Sequence, residues 1–252
     1  MNNGVFPHSI VISYPRSGLH WLRWMLWHIN QECYGATGLE VRNPLFRHNH
    51  DDQGLPRSKP FDASARRERH RGRKRRVVLL VRDPRDCCAS NYQQIIVKRG
   101  LDMSFSAFLR HPVFGVSNIS RWLAWWMTHG RETSKAFLLQ TYEGMKREPE
   151  TALKRIISFV GDPEVPRSVC AAAVAASTIE KMRAYEDQHQ SLFPKGRAIS
   201  GLRVGVESAR LVGQGGSGSW RGWSDEDRDY AFAQILEILP EEDLYNMEGV
   251  YL

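Results

Sequence analysis

Short β-branched runs alternate with longer amphipathic stretches along this chain. Ile10, Val11 and Ile12 are contiguous, and the run from 8 to 14 reads as a strand buried on both faces. Pro15 to Gly18 break it. Trp21, Leu22, Met25, Leu26 and Ile29 then share one stripe of a helix expected over 17–31. A short second strand is expected over 43–49 and a third at Val77–Val81 (VVLLV). Asp83-Pro84 opens a helix to about Lys98, with proline where its missing N–H does no harm. A Trp-rich helix over 117–130 and a strand at Ala136–Thr141 follow. Amphipathic helices are expected over 149–160 and 166–176, and a last helix starts at Ser224 and ends near Leu239-Pro240. Two stretches lack such periodicity. Residues 51–76 read as a basic surface loop, and 186–219, rich in Gly, Ser and Pro, as long loops able to close over a site. Strands alternating with helices predict α/β architecture: a single domain over 1–252, with a mainly parallel central sheet flanked by helices.

Composition narrows the function classes. The chain has 252 residues, 42% of them hydrophobic and 25% charged, enough to bury a full core. Eight Trp, ten Phe and eight Tyr need somewhere to pack, which excludes disorder as the main state. Trp122, Trp125 and Trp126 stand at helical spacing and read as core. No apolar run reaches the ~18–20 residues of a membrane span. The first eight residues carry no charged segment followed by an apolar one, so a cytoplasmic protein is expected. Cys33, Cys87, Cys88 and Cys170 show neither CxxC nor Cys/His spacing, so no metal site is expected. Cys87 and Cys88 read as packing. Lys and Arg total 35 against 28 Asp and Glu. Residues 66–76 (RRERHRGRKRR) hold eight of the basic residues and one acidic one, leaving 27 of each elsewhere. The excess charge belongs to one short run, so no nucleic-acid partner is expected.

Two segments carry candidate chemistry. Ser13-Tyr14-Pro15-Arg16-Ser17-Gly18-Leu19-His20-Trp21 joins a buried strand to a helix start. Such a corner aims backbone N–H groups and the positive end of the helix dipole at one point, the layout of a P-loop-like phosphate cradle. Gly18 admits an anion closely, Arg16 adds a fixed charge, and Ser17 and His20 add donors. It is not a Walker A loop, which needs Lys-Ser/Thr after the glycine. The second segment is Arg82-Asp83-Pro84-Arg85-Asp86 with Ser90. Arg82 stands at the carboxyl end of a strand, where open parallel sheets bind ligands, and Ser90 lies two turns into the next helix. Arg85 and Asp86 read as a surface ion pair at the helix start.

With both segments in view, the chain resembles the PAPS-dependent sulfotransferases. Tyr14-Pro15-Arg16-Ser17-Gly18-Leu19-His20-Trp21 resembles that family's YPKSGTTW-like loop, and Arg82-Asp83-Pro84-Arg85-Asp86 with Ser90 its RNPKD…S segment. Leu138 to Met145 resembles its strand ending in Tyr-Glu-Asp-Met. Ser177 to Met182 resembles its adenine-side stretch, and Gly215 to Trp220 its GxxGxW element. The resemblance implies a donor, 3′-phosphoadenosine 5′-phosphosulfate (PAPS), and a small-molecule or glycan acceptor. It implies that Arg16 stabilises charge on the departing phosphate, that Ser17, Gly18, Leu19 and His20 hold the 5′-phosphate, and that Trp21 stacks on adenine. Arg82 and Ser90 would bind the 3′-phosphate, Tyr142 and Ser177 would lie near the nucleotide, and Gly215 and Gly218 would bring N–H groups to it. The chain departs from the pattern in three places. Leu19 and His20 replace two Thr, Arg16 replaces Lys, and Gly213-Gln214-Gly215 stands where Arg-Lys-Gly is common. Arg203 or Arg210 are candidates to replace the missing cation.

Sulfuryl transfer needs a proton acceptor, and a His titrates near working pH. By the resemblance it lies between the two donor segments at a strand end, where only 46–52 fits. His48 and His50 share a face by strand alternation, so parity does not separate them. His50 is preferred because it is nearer the strand end and has Asp51 and Asp52 beside it. Two other functions fit parts of the pattern: a magnesium-dependent kinase or NTPase with the same loop, and a nucleic-acid binder working through the Arg66–Arg76 run. Oligomeric state is not legible.

Overall fold

Four strands lie parallel in one sheet, in the order β2-β1-β3-β4: β1 is Ser9–Ser13, β2 Arg47–Asn49, β3 Arg76–Val81 and β4 Ala136–Thr141. This computed structural model describes residues 9–35, 47–49, 60–63, 74–99, 102–161, 164–189, 212–213 and 215–246. Val11 of β1 stands opposite His48 on one side and Val78 on the other, and Leu79 opposite Leu139. Parallel neighbours need crossovers, and the helices supply them.

The two-residue period of the strands sorts their side chains to two cores. Ile10, Ile12, Val77, Leu79 and Val81 face Cys87 and Cys88 of α2 (Pro84–Arg99), Trp122 of α4 (Val116–Trp125), and Ala231 and Ile235 of α10 (Asp225–Ile238). Between α2 and α4 lies the short α3 (Phe105–Leu109). Val11, Val78, Leu80 and Leu138 face the opposite core. There they meet Leu22, Met25 and Leu26 of α1 (Leu19–Tyr34), Leu153 and Ile156 of α7 (Pro149–Val160), and Cys170 and Ala173 of α8 (Arg167–Ala176). The order is completed by α5 (Arg131–Thr133), α6 (Tyr142–Arg147), α9 (Ile179–His189) and α11 (Glu241–Asn246). This is the expected α/β arrangement.

Where element ends differ from expectation, local geometry explains it. α1 starts at Leu19, not Ser17, because Gly18, at φ 92, lies outside the helical region and serves as the N-cap, and Arg16 before it also has positive φ. The Trp helix ends its α-helical run at Trp125 and continues through a π turn, Trp126–Gly130. The loop-rich segment begins later than expected, since α9 runs to His189. Its polar sequence hides an anchored side, with Met182 buried and Tyr185 4.8 Å from Trp24. The Tyr-Glu element opens α6 instead of ending the strand. Ser224 caps α10 as expected, its Oγ accepting from the Asp227 N–H at 3.2 Å. Most of the 51–76 loop lies outside the described residues; its last residue, Arg76, opens β3 and donates to the Phe159 carbonyl at 3.0 Å.

Trp122, Trp125 and Trp126 are buried, as the spacing indicated. Trp122 packs edge-on against Tyr14, 5.5 Å away, directly before the anion-cradle loop. Trp122→Ala is expected to cost ~3–5 kcal/mol in urea denaturation, the range for truncating a large core aromatic. A loss below ~1 kcal/mol would contradict its role in the core.

Candidate active site

The first site segment leaves the carboxyl end of β1 and turns sharply into α1. The Ser17 N–H donates back to the Tyr14 carbonyl at 3.3 Å. Arg16 sits at φ 75, a left-handed conformation uncommon for a residue with a Cβ and often found at functional loops. Gly18 has φ 92, and a Cβ there would lie 2.5 Å from the Tyr142 ring, so both backbone and space demand glycine.

The second segment leaves the carboxyl end of β3. Arg82 Nη1 donates to the Arg16 carbonyl at 3.0 Å and Nη2 to the Gly216 carbonyl at 2.6 Å, and the guanidinium lies 4.7 Å above the Tyr142 ring. One side chain thus ties the first loop to the C-terminal glycine segment. Arg16 Nε donates to Ser90 Oγ at 2.8 Å, closing the link to α2. Burial, followed by the like charge of Arg82, pushes the Arg16 guanidinium down to about 10, so it stays charged at neutral pH.

These residues surround one cavity of about 640 Å³. Ten of the twelve expected nucleotide residues line it: Arg16, Gly18, Leu19, His20, Trp21, Arg82, Ser90, Tyr142, Ser177 and Gly215. Trp21 is fixed by its indole N–H, which donates to the Ser177 carbonyl at 3.0 Å, and by an edge contact with Tyr142. The other two, Ser17 and Gly218, are not among the lining residues. The Ser17 hydroxyl is buried 3.4 Å from Cys87 Sγ, away from the cavity. The Gly218 N–H is taken by Asp86 Oδ2 at 2.8 Å, so it is not offered to a ligand. His48 lies in β2, next to β1, by backbone pairing. His50, Arg203 and Arg210 lie outside the described residues, as does most of the Arg66–Arg76 run.

Arg85 and Asp86 are not a surface pair. Arg85 binds Asp83 through Nε (3.0 Å) and Nη2 (2.8 Å), and its guanidinium lies 3.6 Å from the Trp220 ring centroid. The first turn of α2 packs under the 218–220 segment, so both charges are enclosed and must be paired. Burial raises the Asp83 carboxyl against the pull of Arg85. Burial also pushes the Cys87 thiol up to about 12 and the Cys88 thiol up further, which fits packing and not reactivity.

Sequence reasoning missed Lys146, while Ile179, within the expected Ser177 to Met182 stretch, also lines the cavity. Lys146 Nζ and the Tyr142 hydroxyl both donate to the Gly215 carbonyl, at 3.0 and 3.1 Å. The i,i+4 spacing of Tyr142 and Lys146 on α6 was the available signal. Two departures from the family pattern also meet in space: a Cβ at Gly213 would lie 2.9 Å from Arg16 Nη2.

Behind the cavity, Glu143 Oε1 accepts from the Asp83 N–H at 3.3 Å, and burial pushes its carboxyl up to about 7. The folded protein therefore holds this proton at a pH where the unfolded chain has released it. Stability contributed by the protonated form is lost as pH rises through about 7. Between pH 5 and 8 the native protein is expected to lose on the order of 2 kcal/mol more stability than Glu143→Gln, measured by urea denaturation at each pH. Parallel pH profiles would contradict this.

Comparison with known proteins agrees with the geometry. A match to the sulfotransferase domain family spans residues 6–237. Human sulfotransferase 2A1 is 26% identical over 265 aligned positions, covering 92% of this chain and 85% of that protein. Mouse sulfotransferase 2A6 is 24% identical, covering 90% and 82%. Among solved structures, retinol dehydratase in complex with androsterone and the inactive cofactor PAP superimposes with a TM-score of 0.61 at 16% identity, over 98% of this chain and 82% of that one. Mouse sulfotransferase SULT7A1 complexed with PAP gives 0.60 at 16% identity, over 96% and 87%. Among the described residues, no helix is long and apolar enough to cross a membrane. The anion-cradle corner, the arginine at the end of β3 and the match over nearly the whole length agree: the chain belongs to the sulfotransferase domain family and is a sulfotransferase enzyme.

Proposed function

We propose that the enzyme moves a sulfuryl group from 3′-phosphoadenosine 5′-phosphosulfate to a hydroxyl or amine of a small-molecule or glycan acceptor. The observation that carries this reading is the convergence of Arg16, Arg82, Ser90, Trp21 and Tyr142 on one cavity at the carboxyl ends of β1 and β3. The charge of the cavity suits a nucleotide with anionic groups at both its 3′ and 5′ positions. Three cationic side chains, Arg16, Arg82 and Lys146, line it. Its carboxylate, Asp86, is already taken up by Gly218 and Ser219. The PAP in the two structural relatives supports the same donor, and the androsterone in retinol dehydratase supports a small-molecule acceptor. The buried thiols Cys87, Cys88 and Cys170 suit a reducing, cytoplasmic setting.

In this reading Arg82 and Ser90 hold the 3′-phosphate, and Trp21 packs on the adenine with Ile179 opposite. Gly18, Leu19 and His20 shape the 5′ end. The donor supplies an S–O bond that is already activated. The acceptor oxygen or nitrogen forms a new bond to sulfur in line as the S–O bond to the 5′-phosphate breaks, and that electron pair stays on the nucleotide. Arg16 stabilises the resulting negative charge, and a His takes the acceptor proton. Most of the acceleration then comes from positioning and electrostatics.

Adenosine 3′,5′-bisphosphate is expected to raise the melting temperature well above the shift given by ATP, because a ligand selective for the folded state stabilises it. Sulfuryl transfer should persist in EDTA, unlike the reaction of a magnesium-dependent kinase. Arg82→Ala should weaken the bisphosphate by ~2–3 kcal/mol by calorimetry. Unchanged affinity would remove Arg82 from the site.

The base is read as His50, with His48 as the alternative. His50→Asn should lower turnover by roughly 10²–10⁴ while nucleotide binding stays intact. Activity of the native enzyme should fall as pH drops below the His pKa, near ~6.5 before environmental shifts, because the imidazolium has no lone pair to take the proton. An inactive, folded His48→Asn beside an active His50→Asn would move the role to His48. Full activity in both would place the base elsewhere.

A further inference from the structure

The first turn of α2 carries Arg85 and Asp86, which the proposed reaction leaves without a task. They are 4% and 1% exposed. The Asp86 carboxylate accepts three hydrogen bonds from a segment 132 and 133 residues away in sequence. The donors are the Gly218 N–H (2.8 Å), the Ser219 N–H (2.9 Å) and the Ser219 hydroxyl (2.7 Å). Gly218 has φ 76, a conformation glycine reaches without strain, and this turn aims both amides at the carboxylate. Next to it, the Arg85 guanidinium is held edge-on by Asp83 and lies flat against Trp220. The gripped segment is a wall of the cavity: Gly215, Gly216 and Ser219 line it.

The geometry points to Asp86 as a positioning residue for nucleotide binding, with Arg85 holding the adjoining Trp220. Its carboxylate fixes the 215–220 segment against the same helix that bears Ser90. Two walls of the cavity, far apart in sequence, are thereby joined into one rigid body. Asp86 acts through Gly218 and Ser219, whose three donors its carboxylate accepts. Without the grip, a Gly-Gly-Ser-Gly segment regains its backbone freedom, and a ligand must order that segment on binding, which lowers affinity. Asn is a poor substitute for this carboxylate: it keeps one acceptor oxygen and turns an N–H₂ toward another donor. The inference rests on reading the cavity as the nucleotide site.

The test uses the full chain with Asp86→Asn and the milder Ser219→Ala, which removes one of the three donors. Amide hydrogen exchange is followed at Gly218 and Ser219, with β3 amides as internal control. Both variants should exchange faster at 218 and 219 with β3 unchanged. Titration with adenosine 3′,5′-bisphosphate should show affinity at least tenfold weaker in Asp86→Asn and about two- to fivefold weaker in Ser219→Ala. Donor KM should rise in the same proportion, while kcat at saturating donor stays within about threefold of native. A purely structural role would lower the melting temperature without this split. Native exchange and native affinity in folded Asp86→Asn would overturn the inference. If that variant does not fold, native behaviour of Ser219→Ala in both measurements overturns it equally. Should the native enzyme itself fail to bind the bisphosphate, the donor reading is what fails, and the exchange result still decides whether Asp86 holds the segment.

Discussion

Two arginines share one cavity, and their mutual repulsion is the constraint around which the site is organised. Arg16 and Arg82 are close enough for Arg82 to lower the basicity of Arg16. Neutral groups are among the contacts that hold each of them. Arg82 rests on two backbone carbonyls and a tyrosine face, and Arg16 donates to a serine hydroxyl. The nearby carboxylates have protein partners of their own, and Glu186 tempers the charge of Arg16. Asp83 is bound to Arg85, Asp86 is bound to Gly218 and Ser219, and Glu143 is pushed toward its neutral form. Two guanidinium groups thus stand together at the cavity, and an incoming anion would relieve their repulsion. Burial amplifies the effect, because a partly desolvated cation gains more from a phosphate than an exposed one does.

The strands explain how such a cluster is tolerated. β1 and β3 are adjacent and parallel, so both of their carboxyl ends open on the same edge of the sheet. A one-residue shift of β3 against β1 would turn Val78 and Leu80 away from one core and move Arg82 from beneath the Arg16 carbonyl. Register, set by apolar alternation, is therefore what places the charges. The two cores stabilise the sheet, and the sheet edge carries the strain of the left-handed Arg16 and the paired cations.

What could be read from the sequence follows from how local each feature is. The anion-cradle corner was legible because strand, Pro, Gly and helix stripe are adjacent, and Arg82 because it directly follows VVLLV. The Trp cluster was legible from its spacing alone. The Arg85–Asp86 grip was not, because its partners lie more than 130 residues downstream and a charged dipeptide at a helix start looks solvated. α9 was missed for a related reason. Its polar face is continuous in sequence, while its anchoring contacts are to Trp24, far away in the chain. The Ser17 hydroxyl contact with Cys87 was not legible either, because its partner lies 70 residues away in the chain.

Arginine in place of lysine at 16 bears on the chemistry itself. At about 10, its pKa leaves the guanidinium protonated throughout the working range, and its fork donates in several directions at once. It can hold Ser90 and still face the cavity, which a single ammonium does less well. The cost is space: a side chain at Gly213 would require the guanidinium to shift. A residue that keeps its proton acts on the leaving nucleotide by charge, not by donating a proton. Under the proposed reaction, the acceptor proton must then leave through a separate group. In that reading the two halves of the chemistry would be divided: fixed charge at the carboxyl ends of β1 and β3 for the departing phosphate, and a titrating base elsewhere for the acceptor. In such an enzyme, pH governs the acceptor half, while the donor half stays set by arginines across the same range.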